Sequence, residues 1–287
     1  MSMKKCDLCP RNCNIDRTKT KGLCGEKEEM SVNTYSVFMF EEPPISGTHG
    51  SGAIFFSGCS LKCVFCQNYE ISHNGHGTKV TPLGLVEIMK ELEGKGVHNI
   101  NLVSPTHFAD EIIEALKIYK PNIPVVWNTH GYEKVETIQK LLPYVDIFLT
   151  DFKYFRPETA KKYSNCPDYV ENAKAALNEM VKNKPLEFDG EMLKQGVIVR
   201  HLILPLHTQE SKQVLDYLKQ NYDKQILVSV MSQFTPFGEC DRFPEINRKL
   251  TSREMKSVNN HFLELDLDGF IQNSKSADTC FIPNWNK

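Results

Sequence analysis

Apolar and polar positions along residues 53–264 follow two different spacings. Short apolar runs, typical of buried strands, alternate with stretches whose apolar residues recur every three or four positions, typical of amphipathic helices. The predicted strands are 53–57, 99–103, 123–127, 145–150, 197–204 and 226–231, and the predicted helices are 82–93, 109–119, 135–142, 169–180, 211–220 and 251–264. The last helix has Thr251 or Ser252 as its N-cap. About six strand–helix units predict an α/β fold with a parallel sheet, either a barrel or an open sheet.

Polar residues are concentrated where the predicted strands end. In parallel α/β folds, chemistry is carried by the carboxyl ends of the strands. The polar positions after the six strands are Cys59, 104–107, 128–130, 151–153, 205–207 and 232–233. We therefore expect the functional site along this edge of the sheet.

Arg200 lies inside the fifth predicted strand, between apolar neighbours. An arginine in such a strand is unusual unless it faces a polar lumen or has a partner. Strand side chains alternate, so His201 should face the other side and pack in the core. His207, in the loop after that strand, either reaches the site or is simply solvated.

Composition divides the chain into four parts. Residues 1–30 are rich in Cys, Lys and Glu, and we expect a small metal-bound extension because they bury too little apolar surface to fold alone. We expect 31–52 to be a connector, 53–235 the α/β domain, and 236–287 a C-terminal region that caps the site or packs outside it.

Charge and length limit the class of protein. With 287 residues, 40% of them apolar, the chain can form one large domain and a small extension. A net charge of −2 gives no electrostatic argument for nucleic acid or an anionic membrane as the main partner. No apolar run approaches the ~18 residues of a membrane span, and the N-terminus does not read as a secretory signal. We expect a cytoplasmic protein with no membrane partner.

The chain has ten cysteines, and seven of them lie in two groups within the first 66 residues. In a reducing compartment such groups indicate metal ligands or catalytic thiols rather than disulfides. The other three, Cys166, Cys240 and Cys280, are scattered and are expected to be ordinary thiols.

The second group, Cys59, Cys63 and Cys66, lies in the segment GCSLKCVFCQN with C-x3-C-x2-C spacing. Three thiolates on one loop can hold three irons of a [4Fe-4S] cluster and leave the fourth iron open to a small molecule. The alternative is a zinc site completed by a distant His or Cys. The position after the first strand and the aromatic Phe65 favour the cluster.

This motif resembles that of radical S-adenosylmethionine (SAM) enzymes, and residues 41–68 resemble the pyruvate formate-lyase-activating-enzyme-related subgroup. The resemblance extends with lower specificity to about residue 235. It implies a partial (β/α)6 barrel and an open iron that binds SAM. It also implies reductive cleavage of SAM to a 5′-deoxyadenosyl radical that abstracts hydrogen. At the position of Phe65, it implies a backbone contact with the adenine.

The resemblance also assigns the second strand end to SAM. Many family members carry Gly-Gly-Glu-Pro there to bind the SAM ammonium, whereas this chain has Ser104, Pro105, Thr106 and His107. Ser104 and Thr106 would supply hydroxyls or carbonyls instead. Alternatively, they are turn and N-cap residues of the next helix.

The remaining strand ends follow the pattern of glycyl-radical activating enzymes. Their Asp-Thr-Asn-Gly run corresponds to a segment beginning with Asn128 and Thr129, and their Asp-Leu-Lys to a segment running from Asp151 to Lys153. The resemblance implies that Asp151 binds a monovalent cation or lies near the ribose, and that Lys153 neutralises the SAM carboxylate. Asn128 in place of aspartate leaves a cation site one charge short. The resemblance also assigns Ser232 and Gln233 to SAM, and it implies that Arg200 faces the SAM carboxylate or the substrate.

The first cysteine group, Cys6, Cys9, Cys13 and Cys24, has C-x2-C-x3-C-x10-C spacing. Four thiolates suit a closed zinc site or a second [4Fe-4S] cluster. Spacing does not decide between the two. A cluster would serve electron transfer or substrate anchoring, and zinc would be structural.

Two classes of function follow. The first is a radical SAM oxidoreductase, with a reductant such as flavodoxin or ferredoxin. Its target is either a glycyl-radical enzyme, activated as a protein substrate, or a small molecule, peptide or nucleic acid. The second is a zinc-stapled binding protein without radical chemistry. The sequence does not identify the substrate.

Overall fold

The computed structural model describes residues 5–272. The strands are β1 (Ser31–Phe38), β2 (Ser51–Phe56), β3 (Thr78–Lys79), β4 (Ile100–Val103), β5 (Val125–Thr129), β6 (Ile147–Asp151), β7 (Glu187–Asp189), β8 (Met192–Leu202), β9 (Leu227–Met231) and β10 (Gly269–Ile271). The helices are α1 (Pro43–Ser46), α2 (Tyr69–Asn74), α3 (Pro82–Gly94), α4 (Ala109–Ile118), α5 (Val135–Leu141), α6 (Pro157–Ser164), α7 (Tyr169–Asn183), α8 (Thr208–Tyr222) and α9 (Ser252–Glu264).

The sheet has the order β10-β9-β8-β6-β5-β4-β2-β1-β3. Its six central strands, from β2 to β9, are the six predicted from sequence, and every neighbouring pair among them is parallel. The sheet does not close, because β10 and β3 form its two ends. The α/β prediction is therefore confirmed, and the open sheet is consistent with a partial barrel.

Helices cover the outer face of the sheet because apolar side chains there alternate with those facing inward. The outer core contains Trp127 and Phe148 from the strands together with the apolar faces of the crossover helices. Local signals also agree with the sequence: Thr81 caps α3 ahead of Pro82, and Thr251 forms a capping box with Glu254 at the start of α9.

The lower lumen of the sheet is apolar and sealed. Inward side chains from the first halves of the strands, including Val126, Ile147, Ile198 and Leu227, form a separate cluster. Ile45 of α1 packs into the same cluster and is 1% exposed. The floor of the lumen is thus closed by α1, and the open end lies at the carboxyl ends of the strands.

Residues 31–52, expected to be a connector, are part of the sheet and of the lumen. β1 pairs antiparallel with β2 over most of its length, and β3 pairs with β1. The reason is that the 31–38 run can complete hydrogen bonds on the free edge of β2. At the other end, β10 pairs in parallel with β9, so residues up to 272 also join the sheet.

The part of the chain described, residues 5–272, contains no helix long and apolar enough to cross a membrane.

Candidate functional site

A cavity of about 550 Å³ opens at the carboxyl ends of the strands. Its volume lies in the range typical of small-molecule sites. Of the residues predicted for the site, those that line it are Cys59, Cys63, Phe65, Cys66, Ser104, Asn128, Thr129, Asp151, Lys153, Arg200 and Gln233. The fold therefore brings together residues from the cysteine loop and from all five following strands of the parallel sheet.

The three loop cysteines lie together at this cavity. Cys59 and Cys63 are 8% and 6% exposed, and Cys66 is half-buried. Each sulfur accepts a hydrogen bond: Cys59 from the Leu61 amide at 3.4 Å, Cys63 from the Ser164 hydroxyl at 3.1 Å, and Cys66 from the Ser72 hydroxyl at 3.4 Å. Hydrogen bonds of this kind stabilise thiolates bound to iron and set the reduction potential of a cluster.

The chemistry of these thiols suits metal ligation better than nucleophilic catalysis. Burial raises the pKa of Cys59 to about 12, and burial also raises the pKa of Cys66. Such thiols are protonated and unreactive at neutral pH, whereas coordination to a metal removes the proton. Within residues 5–272, no three His, Cys, Asp or Glu side chains are grouped closely enough to hold one metal ion. Three thiols on one loop, two of them buried and one half-buried, face the cavity and fit a cluster with one open iron.

Phe65 fixes the shape of the cysteine loop. Its ring is 4% exposed and makes edge contacts with Tyr154, Tyr163 and Phe234, with centroids 6.0–6.3 Å away. The side chain is thus held in an aromatic cluster, and the loop backbone beside it borders the cavity.

A charged network spans the mid-height of the lumen. Arg200 donates from Nε to Asp151 Oδ1 at 2.9 Å and from Nη2 to Asn128 Oδ1 at 2.6 Å. Lys153 Nζ lies 2.6 Å from the other oxygen of Asp151. The neighbouring Arg200 and Lys153 lower the pKa of Asp151 although burial opposes them. The aspartate is therefore ionised, and Arg200 faces the lumen as its position in the strand predicts.

Two buried glutamates belong to the same network and were missed from the sequence. Glu41 lies 3.5 Å from Arg200 Nη1 and accepts from Asn101 Nδ2 at 2.8 Å. Glu42 is 2% exposed and also lines the cavity. Both precede α1, which carries them into the lumen. Nothing in the local sequence marks them except that two acids directly precede Pro43 and Pro44.

Thr106 does not reach the cavity. Its hydroxyl donates to Glu133 Oε1 at 2.6 Å, and the Thr129 hydroxyl donates to the same atom. Trp127 Nε1 lies 3.5 Å from it. Burial raises the pKa of Glu133 to about 7, although these hydrogen bonds oppose the shift. The carboxylate thus organises the turn after β5, and it is a structural centre that sequence reasoning missed.

The other predicted positions divide into two groups. Ser104 borders the cavity with φ +56°, and Gln233 also lines it. Ser232 does not line it, and its hydroxyl lies 3.5 Å from Asn259 Oδ1. His201 is buried and directs Nδ1 toward the Phe152 carbonyl at 2.7 Å, on the face opposite the lumen.

His207 lies outside the cavity. Its Nε2 is 3.0 Å from the Tyr163 hydroxyl, and its Nδ1 is 3.3 Å from Glu210 Oε2. The loop histidine is therefore neither at the site nor simply solvated. It ties its loop to α6 and α8.

The N-terminal cysteines form one small module. A Cβ on Gly22 would lie 3.2 Å from Cys24 Sγ and 3.7 Å from Cys13 Sγ, so these two sulfurs lie side by side. The pKa of Cys9 is raised to about 12, mainly by burial, with smaller contributions from Cys24 and Cys6. Electrostatic contacts link Cys9 with Cys24 and Cys6, and they link Cys24 with Cys6 and Cys13, so the four cysteines belong to one small group.

This module is fastened to the cysteine loop of the cavity. The Cys59 amide donates to the Cys24 carbonyl at 3.0 Å. Gly58 allows the approach because it has φ +79°, and a Cβ there would lie 2.7 Å from that carbonyl oxygen. Arg11 donates to the carbonyls of Ser60 and Leu61 at 2.8 and 3.2 Å. The two cysteine groups are thus joined directly through backbone.

The remaining cysteines are single thiols. Cys166 and Cys240 are buried, at 0% and 2% exposure, and are not paired. Cys280 lies outside the described residues.

A model of the radical SAM superfamily matches residues 53–227. An uncharacterised protein of Methanocaldococcus jannaschii is 33% identical over 265 residues, which cover 89% of this chain and 73% of that protein. A second uncharacterised protein of the same organism is 25% identical over 219 residues, which cover 70% of this chain and 61% of that protein.

Solved structures agree in fold. The crystal structure of Streptococcus suis SuiB bound to S-adenosylmethionine matches with a TM-score of 0.50 and 13% identity. The match covers 75% of this chain and 48% of the SuiB chain, so it extends over about half of SuiB. At this level of identity the likeness concerns the fold alone.

Proposed function

Because the chain belongs to the radical SAM superfamily, we propose that it cleaves SAM reductively at a [4Fe-4S] cluster bound by Cys59, Cys63 and Cys66. The family implies both the cluster and SAM. The observation that carries the residue assignment is the group of three loop thiols that line the 550 Å³ cavity. The zinc-stapled binding protein does not account for that cavity or for the charged network within it.

The cluster supplies one-electron chemistry. When bound, the cluster would pass one electron from a flavodoxin- or ferredoxin-type reductant to SAM, and this would break the C5′–S bond to give methionine and a 5′-deoxyadenosyl radical able to take a hydrogen atom from the substrate. The residues of the chain bind and orient SAM and shield the radical from solvent.

We assign the polar strand ends to SAM. Lys153 is the cation for its carboxylate, and Ser104 and Asn128 offer hydrogen bonds to its ammonium and ribose. Asp151 is an ionised acceptor, but both of its oxygens are already bonded, to Arg200 and Lys153. A monovalent cation bound by Asp151 would therefore have to displace one of these partners. The backbone beside Phe65 remains the proposed adenine contact.

The N-terminal module is proposed to hold a second metal centre through Cys6, Cys9, Cys13 and Cys24. Four thiolates are the number of ligands that a structural zinc ion or another [4Fe-4S] cluster takes, and binding a single ion would require the four sulfurs to draw closer together. Its backbone link to Cys59 supports a role close to the first cluster. Such a role is either electron transfer or stiffening of the cysteine loop.

Two kinds of hydrogen donor compete. The resemblance of residues 41–68 to pyruvate formate-lyase-activating enzymes favours a glycyl radical in a partner protein. The buried carboxylates of Glu41 and Glu42 in the lumen favour a small molecule or a peptide side chain that enters the cavity. The glycyl radical is supported by the resemblance, and the small molecule or peptide side chain is supported by the buried glutamates.

Metal analysis tests the assignment. After anaerobic reconstitution, the protein should hold about four irons and four sulfides at the cavity site. About eight irons would indicate a second cluster on the N-terminal module, and four irons with one zinc would make that module structural. Cys59→Ala should remove the four irons of the cavity site. Cys9→Ala should change only the metal content of the N-terminal module. A reconstituted wild-type protein that holds zinc alone and no iron would contradict the proposal.

A further inference from the structure

The lower part of the cavity contains a buried carboxylate with an unfilled hydrogen-bonding position. Glu42 lines the cavity and is 2% exposed. Its Oε1 accepts from Gln272 Nε2 at 3.3 Å, but its Oε2 has no hydrogen-bond partner among the described residues. Leaving a buried carboxylate oxygen unpaired is costly, so a ligand that donates to this oxygen would be stabilised.

Two of the neighbouring unpaired atoms are amide oxygens, and a third is the Ser229 hydroxyl, which can donate or accept. Gln272 Oε1 and Asn101 Oδ1 are buried and have no partner within residues 5–272. Gln272 lines the cavity beside Glu42, while Asn101 holds Glu41. Carbonyl and carboxylate oxygens bind donors only. The ligand that completes this region therefore brings N–H groups rather than acceptors.

The balance of buried charges around Glu42 also favours a ligand that donates hydrogen bonds. The cavity contains three buried carboxylates, Glu41, Glu42 and Asp151, against two cations, Arg200 and Lys153. The donors of Arg200 are directed to Asp151, Asn128 and Glu41, and Lys153 is bound to Asp151. Neither cation is hydrogen-bonded to Glu42. Burial raises the pKa of Glu42, although the charge of Arg200 opposes this shift, and a cationic ligand would stabilise the ionised carboxylate.

We propose that Glu42, with Gln272, binds a primary ammonium group of the substrate at the bottom of the cavity. The ligand class is a small amine or an amine-bearing side chain, and the term substrate rests on the proposed function. Glu42 and Gln272 lie outside the six central strands, in the segments before α1 and after β10. They are therefore suited to bind the substrate beside the strand-end residues that we assign to SAM.

Glu42 lies at the depth of the charged network. Ser229, whose hydroxyl lies beside Glu42, is aligned with Arg200 on β8 and is two residues before Met231 at the end of β9. Two residues of strand correspond to about 7 Å. An ammonium anchored at this depth leaves the rest of the molecule pointing up toward the cysteine loop, where hydrogen abstraction occurs.

Calorimetric titration tests the site without relying on turnover. The reconstituted full-length protein with SAM is titrated with propylammonium, propanol and propionate, in a buffer whose only other cation is tetramethylammonium. Propylammonium should bind at least tenfold more tightly than propanol, and propionate should not bind. Glu42→Gln, which keeps the shape and removes the charge, should weaken propylammonium binding tenfold or more. Glu114→Gln, the same change at an exposed position, should leave its Kd unchanged.

Several results of the titration would overturn the amine site. Equal binding of propanol, or unchanged propylammonium binding by a folded Glu42→Gln protein, would overturn the proposal. If potassium chloride displaced propylammonium at a similar concentration, the site would bind any small cation, and this result would also overturn the proposal. If Glu42→Gln does not fold, Gln272→Lys provides the second test, because its own ammonium should fill the site and abolish propylammonium binding. Absence of SAM cleavage by the wild type would remove the proposed function but not the amine site.

Discussion

Asp151 and Arg200 stand opposite each other on neighbouring parallel strands, and Arg200 Nε donates to Asp151 Oδ1 across 2.9 Å. The other oxygen of Asp151 binds Lys153. Strand pairing therefore fixes the position of both charges before any ligand arrives. A site whose charges are held by the sheet orders little on binding, and this favours tight and specific recognition.

Loss of Arg200 should destabilise the protein strongly. Arg200→Met leaves the buried carboxylates of Asp151 and Glu41 without their common cation, which typically costs about 3–5 kcal/mol. Urea unfolding, followed by circular dichroism, measures the difference. Arg253→Met, at an exposed position of α9, should change the free energy of unfolding by less than about 0.5 kcal/mol. If Arg200→Met lowered the free energy of unfolding by no more than Arg253→Met does, the charged network would not be coupled as described.

Glu133 should make stability depend on pH. Burial raises its pKa from 4.5 to about 7 in the folded protein. Between these two pH values the folded state keeps a proton that the unfolded state has released, so this group lowers stability as pH rises through the interval. Glu133→Gln removes the effect. Relative to wild type, its free energy of unfolding should rise by up to ~3 kcal/mol across this interval and stay level above it.

The measurement is denaturant unfolding of both proteins at several pH values from 4.5 to 8. Glu136→Gln, on the exposed side of α5, serves as the control and should follow the wild type. A constant difference between wild type and Glu133→Gln at all pH values would mean that the carboxylate titrates normally.

Arg11 should hold the N-terminal module against the cavity. Its guanidinium donates to four backbone carbonyls, those of Ser60, Leu61, Ser164 and Asn165. Arg11→Met should cost about 2–3 kcal/mol, since hydrogen bonds from a charged donor are the stronger kind. Hydrogen exchange should become faster in residues 6–24 and in the cysteine loop together.

Lys19→Met is the matched control, because the Lys19 side chain is 74% exposed and pairs only at the surface with Asp16. Faster exchange confined to the module, with the cysteine loop unchanged, would contradict the mechanical link between the two cysteine groups.

Gly131 should not tolerate a side chain. It has φ +81°, and a Cβ there would lie 2.2 Å from the Asp151 carbonyl oxygen. Gly131→Ala must therefore shift β6 at Asp151, and we expect a loss of about 1–3 kcal/mol together with weaker SAM binding. Gly94→Ala, with nothing within 4 Å, should be neutral or slightly stabilising. If equilibrium dialysis showed unchanged SAM affinity in Gly131→Ala, Asp151 would not be part of the SAM site.

The repeating part of the fold was readable from the sequence because each strand and helix carries its own periodic signal. The strand predicted over 145–150 is observed as Ile147–Asp151, and the helix predicted over 135–142 as Val135–Leu141. Arg200 was identified for the same reason, since a charge within an apolar strand contradicts its surroundings unless it faces a polar lumen.

The missed features depend on tertiary contacts. β1 is defined by pairing with the edge of β2, and Glu41 and Glu42 enter the lumen only because Ile45 packs against its apolar floor. Thr106 carries the right chemistry at the right strand end, but Glu133, reached across a turn, takes its hydrogen bond. Such competition between partners has no periodic signature.

Formation of 5′-deoxyadenosine tests the central claim most directly. The reconstituted protein is incubated without oxygen with SAM and dithionite, and the product is quantified by chromatography. The account predicts that wild type and Cys240→Ala form 5′-deoxyadenosine, and that Cys59→Ala, which lacks one of three proposed cluster ligands, forms none. Wild type loaded with about four irons that still forms none, or Cys59→Ala that forms as much as wild type, would contradict it.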